Sequence, residues 1–146
     1  MNVDAQGVAL SSSASNVVDI QPEKALFEAM LDGWAKQQRA RFLRESTIIT
    51  RLRLVRRLTD FSGLYPWQWT PAEGEAWVSS LRSGPSPLRL STLRSYEVEL
   101  RMFCEYLRDS RYGWSEQCLN RFGAAPEQVF HPDNSIIHVG EYEGDP

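Results

Sequence analysis

The sequence predicts an all-α fold, a small bundle of four main helices plus a short fifth. Three observations carry it. Apolar residues recur at steps of three and four in successive stretches, which lines them along one helical face. Pro, Gly and Ser-Thr pairs punctuate the gaps between those stretches, where helix starts and stops belong. No stretch reads as a strand. At 146 residues there is room for one ordinary domain, and a hydrophobic content of 42% excludes a wholly disordered chain.

Taken in order, residues 1–21 are small and polar with a serine cluster, and are expected to form a flexible N-terminal arm. Pro22 and Glu23 open the first helix, with proline at a tolerated first-turn position. Leu26, Met30 and Trp34 repeat every four residues, with Phe27 and Leu31 alongside, and the helix is expected to run to about Phe42. The second helix spans about Ser46 to Phe61. Ile48, Leu52, Val55 and Thr59 mark its inner face, Leu54, Leu58 and Phe61 widen it, and Ser62-Gly63 ends it. Arg53, Arg56 and Arg57 point away from that face, with Arg51 at its margin. Leu64 to Trp69 is an aromatic connector whose tryptophans are read as core plugs rather than base-stacking surfaces. Thr70-Pro71-Ala72-Glu73 has the pattern of a capping box, and opens a short helix through Trp77 and Leu81 to Ser83-Gly84.

Pro85 and Pro87 make a rigid turn into the most strongly amphipathic stretch, Ser91 to Arg111. Leu93, Tyr96, Leu100, Phe103 and Leu107 form its apolar face, and Ser91 or Thr92 stands where an N-cap belongs. Arg94, Arg101 and Arg108 form a stripe beside it; with Glu97 and Glu105 interleaved, that edge also fits a solvated ion-pair ladder. The second helix echoes this one: Ser46, Thr47, Ile48, Val55 and Arg56 align with Ser91, Thr92, Leu93, Leu100 and Arg101. A last short helix, Ser115 to Phe122, stops at Gly123. The helical domain is thus bounded at 22–125, and 126–146 is aperiodic and rich in Pro, Gly and acids, as a linker would be.

The formal charge of -3 conceals an asymmetry. Lys36 to Arg111 carries fourteen Arg/Lys against eight Asp/Glu, while the flanks carry two against eleven. Fourteen of the sixteen basic residues are arginine, whose planar fork suits phosphates and guanine edges. The two cysteines, Cys104 and Cys118, have no zinc spacing, and Cys104 at the core edge reads as a packed, reduced thiol. No apolar run approaches a membrane span and no basic signal-peptide start follows Met1, so a soluble, cytoplasmic protein is expected, nucleoid-associated if it binds DNA. His131 and His138 are the only histidines, neither in register with acids as a metal set. No Gly-rich phosphate loop or nucleophile motif occurs. The expectation is no catalysis, no cofactor and no metal.

What remains is cationic surface at helix starts, where hydroxyls, free amides and arginines can meet phosphates. Arg44, Thr47, Thr50 and Arg51 form the first candidate DNA-binding cluster, and Arg89, Ser91, Arg94 and Ser95 the second. Thr47, Arg51, Ser91 and Arg94 head that set.

The Ser-Thr-Ile and Ser-Thr-Leu-Arg-Ser-Tyr helix openings and the run Leu100 to Leu107 resemble the core-binding domain of tyrosine recombinases, the phage-integrase family. Trp34 to Gln38, Pro66 to Pro71, Arg111 to Trp114 and Phe122-Gly123 follow in that family's order, so the likeness covers roughly Pro22 to Tyr142. It implies a SAM-like arrangement of crossed helical hairpins that clamps one side of a recombination-site duplex. The partners it implies are double-stranded DNA, a catalytic domain absent from this sequence, and other recombinase protomers. The family's tyrosine nucleophile and His-x-x-Arg element have no counterpart here, so the resemblance assigns no catalytic residue. Two other readings stand beside it: a helical protein–protein interaction domain, and a stand-alone DNA-binding regulator.

Overall fold

The computed structural model describes residues 21–136. The expected arm, apart from Gln21, and the end of the expected linker lie outside them. Among the described residues there are five α-helices, one short 3-10 turn and no strand, as the sequence predicts. The chain divides into two compact units between Asp32 and Gly33, inside the first helix.

α1 spans Pro22–Ala40. In the first unit its apolar face, Leu26, Phe27, Met30 and Leu31, is buried. In the second unit the same helix buries Trp34, Ala35 and Gln38. It stops two residues earlier than expected. Phe42 turns left-handed at φ 64°, its N–H bonds to Arg39 O at 2.9 Å and that of Leu43 to Gln38 O at 3.1 Å. Those two bonds close the helix end as a Schellman motif does.

The second unit is a small helical bundle. α2 (Glu45–Ser62) buries Ile48, Leu54, Val55 and Leu58 and ends at Gly63, whose φ of 70° lets its N–H reach Thr59 O. Leu52 and Thr59 are half-buried at the margin, while Phe61 is exposed, against expectation. Phe61 lies in the last turn of α2, about 20° round the helix from buried Leu54, at the outer edge of the stripe. The connector is core, as predicted. Trp67 is buried with Tyr65 stacked at 5.0 Å and Phe122 at 4.8 Å, and buried Trp69 donates its indole N–H to Leu64 O. α3 (Pro71–Ser83) opens on the predicted box, Thr70 Oγ1 accepting from Ala72 N and Glu73 Oε1 accepting from Thr70 N.

α4 (Leu90–Arg108) is the spine. Leu93, Leu100, Phe103 and Leu107 are buried as the periodicity requires, and Tyr96 is half-buried against Trp77. Phe103 meets Trp34 at 5.0 Å and Trp69 at 6.3 Å. The expected Ser91 or Thr92 cap is displaced: the helix begins at Leu90 and the cap residue is Arg89, in extended conformation with no side-chain cap bond. α5 (Trp114–Phe122) buries Cys118 between Gly113 and Gly123, both left-handed. α2 contacts α3 and α4, and α4 contacts α5.

Beyond α5 the chain is irregular, as expected, yet 126–136 is not a solvated linker. Val129 and Phe130 are fully buried. Phe130 fits where Gly74 of α3 has no side chain: a Cβ there would stand 2.9 Å from the ring. Gln128 Nε2 donates to Arg101 O, Arg101 Nη2 donates to Ser135 Oγ, and Ile136 N donates to Glu97 Oε1. The segment is a strap across α3 and α4.

Candidate nucleic-acid interface

Each predicted cluster occupies one helix start. At α2, Arg44 is the cap residue, exposed, extended and without a side-chain cap bond. An α-helix leaves its first amides without partners, and neither Arg44 nor Arg89 occupies them with its own side chain. Ser46 and Thr50 are exposed and Thr47 half-buried; Thr50 Oγ1 donates to Ser46 O, which leaves its lone pairs outward. The one acid in this first turn, Glu45, is gripped by Arg39 at 2.7 and 3.1 Å. That bond holds the Glu45 carboxyl below its ordinary value, with direct attraction to Arg39 adding to it. The local field at the α2 start therefore stays positive.

At α4, Arg89, Leu90, Ser91 and Ser95 are exposed and no acid lies in the first turn. This end has the same composition as the first: arginine cap, free amides, outward hydroxyls. The sequence echo between the two helices thus has a structural counterpart.

The two leading arginines are more enclosed than their neighbours. Arg51 is half-buried, donates Nη1 to Gln38 Oε1 at 2.9 Å, and keeps Nε buried without a hydrogen-bond partner. Gln38, itself buried, also donates to Trp34 O. A cleft of about 220 Å³ opens beside this pair, walled by Trp34, Arg41, Met102, Glu105 and Tyr106. Arg94 is half-buried, with Nη1 buried and unpartnered. Arg44 and Arg89 are the free cations of the two clusters.

The clusters do not merge into one patch. Glu99 feels the charge of Arg51, while Arg57 donates to Tyr96 at 3.2 Å, so partners run in opposite order along α2 and α4. The helices are antiparallel where they touch, and their starts lie at opposite ends. At 1.5 Å per residue the separation along the axes is on the order of 20 Å.

The arginine stripe of α4 is not the ion-pair ladder its spacing suggested. Glu97 is buried and accepts from the Ile136 amide, and Arg101 is committed to Ser135. Arg57, expected to point away, braces the core edge instead, its guanidinium lying 5.5 Å from the Trp77 ring and 5.2 Å from that of Tyr96. Arg53 is exposed, as the sequence predicts, and sequence reasoning passed over Ile49, which is exposed beside the hydroxyls of α2. The adjacent isoleucines were the available signal, since a helix turns 100° between Ile48 and Ile49 and only one could face inward.

Nothing among the described residues groups three potential metal ligands. His131 Nδ1 accepts from Asp133 N within the strap, and His138 lies outside the described residues. Burial pushes both Cys104 and Cys118 up to about 11, which keeps them as thiols. No described helix is long and apolar enough to cross a membrane. No protein-family model, curated protein or solved structure matches the chain.

Proposed function

We propose that this chain is a DNA-binding helical module, the core-binding half of a tyrosine recombinase of the phage-integrase kind, with no strand-cleaving chemistry of its own. One observation carries the DNA part of the reading: two helix starts of the same make, each with an exposed arginine cap, free amides and hydroxyls, and no unneutralised acid in the first turn. Such ends bind phosphate oxygens through partial positive charge and directed N–H groups together. The recombinase part rests on the sequence resemblance, and implies a catalytic domain elsewhere that closes on the other side of the duplex. Alone, the module binds weakly, in the range of non-specific complexes, because it supplies only part of the phosphate contacts.

Fluorescence anisotropy with a labelled duplex at low and moderate salt tests this. Binding should fade as salt rises, and Arg44→Ala should weaken it and lower the salt slope by about one. A folded protein that shifts no duplex at low salt would transfer the function to protein–protein docking.

A further inference from the structure

Phe42 is unfavourably placed in two ways at once. It occupies the residue after the C-cap of α1, where the Schellman closure demands a left-handed backbone and glycine is the usual occupant. A side chain there crowds the following carbonyl. Yet the ring recovers nothing by burial, since Phe42 is 97% exposed. Its surroundings specify a partner. From Gly33 to Arg44 there is no acid and four basic residues, Lys36, Arg39, Arg41 and Arg44. Arg41 and Arg44 flank the ring and are exposed, and the next acid, Glu45, is neutralised by Arg39. An apolar ring in a cationic rim beside a free helix start fits a polyanion that also offers flat apolar surface. Duplex DNA has both, and apolar side chains enter its base steps at least cost where pyrimidine precedes purine.

We infer that Phe42 is a wedge that enters a base step of the bound duplex while Arg41 and Arg44 hold the adjoining phosphates. The inference rests on the DNA-binding reading above. The left-handed turn leaves the ring 97% exposed between the end of α1 and the start of α2.

The test uses the full chain and a duplex carrying 2-aminopurine at a TA step, at low salt. Wild-type protein should raise the 2-aminopurine fluorescence as the step unstacks. Phe42→Gly should abolish that rise and weaken duplex binding about tenfold, while raising the thermal midpoint, because glycine relieves the backbone strain. Phe42→Trp should keep the signal. A merely structural role would move stability and binding the same way. If Phe42→Gly binds as wild type with the same fluorescence while Arg44→Ala weakens binding, the wedge is overturned and the DNA reading stands. If wild type binds no duplex, both fall. If Phe42→Gly instead dissolves a self-association seen by sedimentation and leaves duplex binding intact, the ring docks on a second copy and the wedge is overturned.

Discussion

Glu97 shows how far one residue's role can depart from its sequence context. Spaced among arginines, it reads as a solvent-facing member of a ladder, yet it is 2% exposed and receives the Ile136 amide at 2.8 Å. Burial raises its carboxyl above the ordinary 4.5, only partly opposed by that amide and by Arg101. The folded chain then holds the proton more tightly than the unfolded chain. Ionisation costs stability above the folded-state value, and the cost is relieved as pH falls toward the unfolded value near 4.5. Glu97→Gln keeps an acceptor oxygen and removes the charge. It should raise the melting temperature by a few degrees at neutral pH, with the difference closing near pH 4. Circular dichroism melts at the two pH values check it; a lower midpoint at neutral pH would mean that attraction to Arg101 outweighs burial.

Elements were legible where the signal is local. The faces of α2 and α4 follow from apolar spacing, and the α3 start follows from Thr70 and Glu73, because those contacts lie within one or two turns. The α4 start was missed by two residues. A hydroxyl signals a cap only if the chain leaves the helix there, and Leu90 and Ser91 continue it back to Arg89. The strap was the larger miss. Its burial has no period, and depends on a hole at Gly74, 56 residues before Phe130 in the chain. That hole makes a prediction of unusual sign. In an exposed helix interior Gly→Ala stabilises by about 1 kcal/mol, but at Gly74 the new methyl meets the Phe130 ring at 2.9 to 3.0 Å. Overpacking of that kind costs about 1–3 kcal/mol, so Gly74→Ala should lower the denaturation midpoint. Emptying the same contact from the other side, Phe130→Ala should cost about 3–5 kcal/mol, measurable by urea unfolding. A near-neutral Phe130→Ala would mean the strap detaches without disturbing α3 and α4.

At the scale of the whole unit, the candidate site was legible as composition but not as arrangement. The basic middle of the sequence marks α2 and α4 as the helices whose starts carry an exposed arginine, whereas the antiparallel order of α2 and α4 follows from contacts no spacing encodes. Its consequence is that the two arginine-capped starts cannot act on one phosphate. They lie on the order of 20 Å apart along the helix axes, comparable to the duplex itself, so both engage only a duplex laid along or across that face. Contacts so far apart, sharing no partner, contribute independently. Arg44→Ala and Arg89→Ala should therefore each lower the salt slope of duplex binding by about one, and the double variant by about two. If Arg44→Ala alone changes the slope, the duplex rests on the α2 end, and the matching composition at Arg89 serves another partner. If the double variant loses no more than either single one, the two starts are alternative docking points for the same duplex rather than simultaneous ones.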